Sequence, residues 1–188
     1  MKYKEVFSPN FIQLLNDNLG SESENQRINP DEELATSYVD VESLLKKLGF
    51  EVKPEKSLGV SGELRDKTIL IDKDEVEYRQ RFTMAHELGH AFQGKVNAYR
   101  KNDSRDYTVS DRKDEVFANK FAAQLLMPRK LVYKYTEDYI DDKNLDRNKL
   151  NKESVKEIKD YLAQQLNVSG KSVEFRVENL NLFVRTAG

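Results

Sequence analysis

The chain has 188 residues, enough for one compact domain with an appendage, and 38% of them are hydrophobic. It contains no cysteine, which excludes disulfide bonds and thiolate metal ligands, and it has no apolar run resembling a membrane span or signal sequence. Its 31 basic and 33 acidic residues leave a net charge of −2, which argues against a dominant nucleic-acid surface. Together these features predict a cytoplasmic protein that does not act at a membrane.

The first part of the chain is predicted to contain two helices. Residues 5–19 are predicted to form a short helix, and residues 20–30 are a polar stretch typical of a connection. Residues 31–47 place apolar side chains at helical spacing, and Gly49 supplies a stop. Residues 50–52 alternate apolar and polar side chains and are predicted to form a strand, and Thr68–Asp72 is predicted to be a second strand.

Residues 74–93 are predicted to form the next helix, largely enclosed by the fold. Asp74 can cap its free backbone N–H groups, Glu77 is placed to reach back to the cap, and Gly94 is a natural end. Gly89 costs such a helix roughly 1 kcal/mol relative to alanine. Either a close backbone approach near a metal or ordinary tight packing accounts for it, and the sequence favours neither.

The only two histidines of the chain, His86 and His90, lie on this helix, and Glu87 follows the first directly. Residues four apart project from the same helical face, so both imidazoles can bind one tetrahedral metal ion. The adjacent glutamate makes a chance occurrence of this pattern rarer still. The motif predicts a metal centre and requires a third ligand.

Residues 111–128 are predicted to form a second helix, capped by Ser110 or Asp111 and ended by Pro128. Glu115 lies on the apolar stripe of this helix, where an unpaired charge would cost far more than a typical margin of stability. A metal ion would be a partner for it. The other members of the stripe are Ala118, Phe121, Ala122, Leu125 and Leu126.

Two neighbours of Glu115 are also candidates for the site. Asp114 is displaced about 100° around the helix toward its charged face, so Glu115 is preferred as the ligand. Asn119 shares the face of Glu115 one turn later. Its amide oxygen can accept the second N–H of a metal-bound histidine, or it can be a core asparagine satisfied by the backbone.

The two blocks at residues 79–90 and 115–128 resemble the ImmA/IrrE family of bacterial and mobile-element metallopeptidases. Both blocks occur in the family's order and separation, and a weaker similarity extends over about residues 34–182. The resemblance implies an α+β, gluzincin-like core with a small sheet packed on the metal helix. It also implies cleavage of a helix-turn-helix transcriptional repressor as the activity.

By position, the resemblance implies that His86, His90 and Glu115 bind one Zn²⁺ ion and that Glu87 is the catalytic base. Mn²⁺ and Fe²⁺ remain alternatives to zinc. In zincin-like sites an extended substrate adds to the edge of a strand above the metal helix. Residues 63–72 are the candidate for that edge, and an ordinary structural strand is at least as good an interpretation of them.

The sequence predicts three segments, an N-terminal helix with its connection (1–30), the metallopeptidase core (31–130) and a mostly helical C-terminal region (131–188). Within the last, residues 162–180 are spaced like a DNA-binding helix-turn-helix. Lys171 and Arg176 on the second helix are balanced by acidic neighbours, so phosphate contacts are poorly supported. Packing or substrate docking is the favoured role.

Other residues near the two blocks are ambiguous. Residues 102–109 form a polar segment between the two predicted helices, and Tyr99 or Tyr107 is a candidate donor to an oxyanion. No donor is assigned. Arg79 and Arg81 match the family block, and at least one of them is expected to be a solvated helix charge.

Three protein ligands leave a metal ion one position for water, which Glu87 can deprotonate as the water attacks a peptide carbonyl. Peptide hydrolysis is therefore the predicted reaction. One alternative is a binding protein with a structural metal, which sequesters a repressor or a toxin-antitoxin partner without cleavage. Another is a DNA-binding regulator, which the near-neutral charge supports poorly.

Overall fold

The computed structural model describes residues 1–18, 26–94, 97–99 and 109–183. In these ranges helices dominate; three strands of a small sheet lie between the third and fourth helices along the chain, and the fourth strand follows the fourth helix. The helices are α1 (Tyr3–Val6), α2 (Pro9–Asn18), α3 (Val41–Lys47), α4 (Glu77–Phe92), α5 (Val109–Leu126), α6 (Arg129–Asp142), α7 (Lys152–Leu166) and α8 (Gly170–Asn179), with a 3₁₀ turn at Arg147–Lys149. The strands are β1 (Glu51–Glu55), β2 (Gly62–Arg65), β3 (Thr68–Asp72) and β4 (Asn97–Tyr99).

The described strands form one sheet in the order β1-β3-β2-β4. β1 runs parallel to β3, whereas β2 is antiparallel to both β3 and β4. Ile69, Leu70 and Ile71 of β3 are buried, as expected for a strand paired on both sides. The predicted α+β class, with a small sheet against the helix that carries the histidines, is confirmed.

The predicted substrate edge at residues 63–72 is wrong. This segment contains β2 and β3, and the backbone of each is already paired with a strand on either side. The edges of the sheet are β1 and β4 instead. β4 follows α4 in the chain and contacts it, so it is the edge strand on the side of the histidine helix.

The sheet lies directly on α4 because β2 has a glycine where the two elements meet. A Cβ atom built on Gly62 would lie 2.2 Å from Thr83 Cγ2 and 3.0 Å from the carbonyl oxygen of Leu70. It would also lie 3.7 Å from Glu87 Cγ. A glycine inside a strand commonly marks such a close approach.

Two predicted helices are shorter or divided in the structure. Of residues 31–47 only Val41–Lys47 is helical, because Asp40 caps the helix by accepting a hydrogen bond from Ser43 N at 3.1 Å. Earlier in the predicted helical segment, Glu33 pairs with Lys2 in an isolated antiparallel bridge. The backbone that was expected to be helical is therefore bonded to the N-terminal segment.

The predicted helix at residues 5–19 is divided into α1 and α2. Ser8 separates the two helices, and its hydroxyl accepts a hydrogen bond from Phe11 N at 3.2 Å in the first turn of α2. Pro9 at the first position of α2 needs no such partner because it has no N–H.

The predicted start of the histidine helix is also wrong. Val76 stands at the N-cap of α4 and makes no side-chain capping bond, while Asp74 accepts from Ser57 N at 3.4 Å. Gln80 instead holds the preceding turn by donating to the carbonyl of Glu75 at 2.7 Å. Gly94, with a φ of +74°, follows the helix end as predicted.

The helix α5 begins at Val109, ahead of the predicted caps, and all five residues of its predicted apolar stripe are buried. The predicted helix–turn–helix order at the C-terminus is present, as α7, a left-handed Asn167 and α8 capped by Ser169. One hydrophobic core includes residues from Tyr3 to Leu182. The three-segment division stays a prediction. Among the described helices, none is long and apolar enough to cross a membrane.

Candidate metal centre

The two histidine rings lie together on the buried face of α4. His86 and His90 are 0% and 2% exposed, and their Nε2 atoms are 3.1 Å apart. Glu87, between them in sequence, is 0% exposed. Residues four apart lie about one turn apart on the same face of a helix, and the two rings meet for that reason.

The helix α5 brings Glu115 to these two nitrogen atoms. Its Oε2 atom is 3.3 Å from His86 Nε2, and its Oε1 atom is 3.2 Å from His90 Nε2. The close packing of α4 against α5 at Gly89 makes this approach possible, because a Cβ atom there would lie 2.9 Å from Ala118 Cα. Both interpretations of Gly89 therefore describe one feature: tight helix packing beside the site.

We expect Gly89→Ala to lower the free energy of unfolding by about 1–3 kcal/mol, because the added methyl group would overpack the α4–α5 contact. In an exposed helix the same change would stabilise the protein by roughly 1 kcal/mol. Urea unfolding measures the difference. Gly170→Ala is the control: a Cβ atom at this first residue of α8 meets nothing within 4 Å, so stability should be unchanged or higher. Equal stabilisation by both changes would contradict the packing argument.

The three side chains fit a divalent metal ion such as zinc. Zinc bonds nitrogen and oxygen at about 2.0–2.1 Å, so two ligand atoms of a tetrahedral site are separated by roughly 3.3 Å. The two imidazole Nε2 atoms are 3.1 Å apart, and each lies 3.2–3.3 Å from a different oxygen of the Glu115 carboxylate, so the donors lie at about this spacing. Two imidazoles and a carboxylate also match the donor types zinc prefers where cysteine is absent.

The ionisation of Glu115 suits a ligand. Burial raises the pKa of this carboxyl group, but its interactions with His86 and His90 outweigh burial and lower the pKa to about 2. The carboxylate is therefore anionic at neutral pH, which is the form that binds a metal ion.

Asn119 lies behind the first histidine. Its Oδ1 atom is 3.1 Å from His86 Nδ1, the position from which it can accept the ring N–H. Such a bond would leave the Nε2 lone pair of His86 directed at the site. Nδ1 of His90 is buried and makes no hydrogen bond to any described residue.

We expect Asn119→Ala to weaken metal affinity about 10- to 100-fold, because the histidine loses the acceptor that orients its ring. Asn119→Asp should restore most of the affinity, since a carboxylate oxygen accepts the same N–H. Competition against a chelating dye measures both values. A purely structural asparagine would give equal affinity in the alanine variant and the wild type.

The other sequence candidates lie elsewhere. Asp114 accepts a hydrogen bond from Gln93 Nε2 at 3.0 Å, and it does not belong to the ligand cluster. Arg79 is the expected exposed helix charge and pairs with Glu75 at 3.1 Å. The side chain of Tyr99, all of Tyr107 and the polar segment before α5 lie outside the described residues.

Arg81 has a structural role that the sequence did not reveal. It is 5% exposed, donates to the carbonyls of Val39 at 2.8 Å and Leu166 at 3.0 Å, and also bonds to Asn167. The side chain therefore fastens α4 to the segment before α3 and to the end of α7. In the sequence, only the apolar residues near Arg81 on the helix could have indicated that it is buried, because its hydrogen-bond acceptors are remote along the chain.

Residues 45–178 match the family model described as the IrrE N-terminal-like domain, a family of peptidases. The chain belongs to this family. The match spans α4, α5 and the histidine and glutamate cluster, so it agrees with the resemblance seen in the sequence. Members of this ImmA/IrrE family are metallopeptidases, and the protein is accordingly a peptidase whose His86, His90 and Glu115 form a possible metal site. A search of curated proteins found no match.

Proposed function

We propose that the protein is a zinc-dependent endopeptidase in which His86, His90 and Glu115 bind one zinc ion and Glu87 is the catalytic base. The observation that carries the proposal is the set of donor separations of 3.1–3.3 Å, with the Glu87 carboxylate buried on the same helix. Membership of a metallopeptidase family supports the reaction class. Mn²⁺ or Fe²⁺ in place of zinc would leave the roles of the residues unchanged.

When bound, zinc would supply a Lewis acid that activates water and polarises the peptide carbonyl. Glu87 takes a proton from the attacking water and transfers it to the departing amine. Asn119 accepts the Nδ1–H of His86 and so fixes the tautomer whose Nε2 faces the site. Gly62 lets β2 lie against Thr83, one turn before Glu87 on the same helix.

The substrate backbone is proposed to lie along the edge strand β4 and not along residues 63–72. An extended peptide can pair with an edge strand through backbone hydrogen bonds, so recognition would depend little on sequence at that point. The proposed substrate is a helix-turn-helix repressor encoded on a mobile element, whose cleavage in the cytoplasm relieves repression. This assignment is supported by the family resemblance alone.

Sequestration without cleavage is the alternative function. A protein that only binds a repressor or a toxin-antitoxin partner needs the metal ligands for stability but has no use for Glu87. Burial of a carboxylate opposes folding. The fully buried position of Glu87 beside the ligands therefore favours the enzyme.

The test is to incubate the purified, zinc-loaded protein with a helix-turn-helix repressor encoded beside its gene and to follow fragments by mass spectrometry. We expect two fragments from a single internal cleavage, and their loss when a chelator removes the metal. Restoration of cleavage by added zinc controls for damage by the chelator. Relief of DNA binding by the repressor without any fragments would support sequestration instead.

A further inference from the structure

A cleft of about 550 Å³ lies between α4, α5 and α8, apart from the metal ligands. Its apolar lining includes Tyr78, Phe82 and Phe175. Phe175 is 56% exposed and Tyr78 is 39% exposed, so two aromatic rings at this cleft are open to water. Exposed apolar side chains gathered at a concave surface commonly mark a binding site.

The charged residues that line the cleft are Arg79, Lys120 and Lys171, and none of its described lining residues is a carboxylate. Lys171 is 3.4 Å from Glu174, and Arg79 pairs with Glu75, but neither acid lines the cleft. Within the described part of the chain Lys120 makes no ion pair. The charged side chains that line the cleft are therefore all positive, although the chain as a whole has a net charge of −2.

One wall of the cleft is shared with the metal centre. Asn119 lines the cleft and also contacts His86, with 3.1 Å between the oxygen and Nδ1. The ring of Phe82 lies next to that histidine, with 6.3 Å between centroids. A peptide held in the cleft would therefore lie one side-chain layer from a metal ligand.

We propose that this cleft is an exosite for a segment of the protein substrate in which bulky apolar side chains are flanked by acidic residues. The aromatic rings accept the apolar side chains, and the three cations at the rim pair with the carboxylates. The volume suits one or two large side chains rather than a folded domain. That the bound segment belongs to a substrate rests on the proposed peptidase function, whereas the binding itself requires no catalysis.

The test uses a tryptophan-containing peptide, because the chain has no tryptophan and all tryptophan emission therefore comes from the probe. The probe has one tryptophan and one leucine between pairs of glutamates. Matched peptides replace the glutamates with glutamines or with lysines. Binding is measured on the full-length, metal-loaded Glu87→Gln protein, so that the probe is not hydrolysed.

We expect the acidic probe to bind, more weakly at high salt, and the lysine peptide not to bind. Lys171→Glu combined with Lys120→Glu should weaken binding at least about tenfold, because the pairing becomes repulsive. Phe175→Ala should weaken it about tenfold through loss of an aromatic contact. Lys46→Glu and Leu14→Ala, at exposed positions outside the cleft, are the matched controls and should have no effect.

Equal binding of all three peptides, or unchanged binding in the cleft variants, would overturn the exosite. Tighter binding of a single-stranded oligonucleotide than of the acidic peptide would overturn it too, since stacking rings and cations also suit that ligand. These outcomes do not depend on cleavage. A protein that binds the probe through the cleft but hydrolyses nothing would refute the proposed peptidase and leave the exosite standing.

With a cleavable substrate of the same acidic character, the cleft variants should raise KM about tenfold with little change in kcat, because the exosite contributes to binding rather than to chemistry. A fall in kcat at unchanged KM would place these residues in the catalytic step and contradict the exosite.

Discussion

The Glu87→Gln variant is expected to lose at least about 10²- to 10⁴-fold of the hydrolysis rate, the contribution that acid–base catalysis makes. The amide matches the carboxylate in size, so the buried position on α4 and the three proposed metal ligands should be unaffected. An amide cannot take a proton from water. The rate of substrate cleavage, the metal content and the affinity for substrate should be measured on the same preparation.

Asp114→Asn is the matched control, because it makes the same chemical change at a carboxylate on the neighbouring helix that is bonded to Gln93 instead of facing the ligands. Its rate should stay close to that of the wild type. If Glu87→Gln relieved repression as well as the wild type, and neither produced fragments, the protein would act by sequestration and its metal would be structural. Hydrolysis by Glu87→Gln within about tenfold of the wild type would remove Glu87 from the role of general base.

The sequence predicts the cluster of His86, His90 and Glu115 because the cluster depends on helical periodicity, which is local. His86 and His90 are one turn apart on any regular helix, and their Nε2 atoms lie together as expected. Glu115 could be singled out because it lies on a stripe whose other members are all buried. The residues of each helix predict which of its faces is buried. The two buried faces then need only pack against each other to bring Glu115 to the histidines.

The sheet was less predictable because its pairing joins distant segments. β3 was recognised from its composition, but β2 has only four residues and begins with Gly62, which removes a side chain from the usual alternation. Its partners determine which strands are interior, and those partners include β4, more than thirty residues later along the chain. Without β4, residues 63–72 are expected at an edge of the sheet, and this is why the predicted substrate edge is wrong.

The segment before α3 and the environment of Arg81 illustrate the same limit. Residues 31–40 have helical spacing, yet backbone hydrogen bonds from Tyr3 to Glu32 and from Leu34 to Met1 hold the chain in another conformation. Arg81 was grouped with Arg79 as a candidate helix charge, whereas its acceptors are the carbonyl groups of Val39 and Leu166, 42 and 85 residues away in the chain. Tertiary contacts override local propensity at both places.

Loss of the metal is the expected result of Glu115→Ala, and also of His86→Ala or His90→Ala. Removing one of three donors should weaken affinity by more than the about 10- to 100-fold expected for an orienting partner such as Asn119. The rate of hydrolysis should fall with the metal occupancy, because without the metal ion no Lewis acid polarises the peptide carbonyl. Elemental analysis after dialysis should find about one zinc ion per chain in the wild type.

Asp114→Ala distinguishes the ligand from its neighbour, since both are carboxylates in the first half of α5 and both are partly buried. We expect this variant to keep its metal, because Asp114 does not belong to the cluster formed by His86, His90 and Glu115. Zinc retained in Glu115→Ala but lost in Asp114→Ala would mean that α5 turns its other carboxylate to the metal.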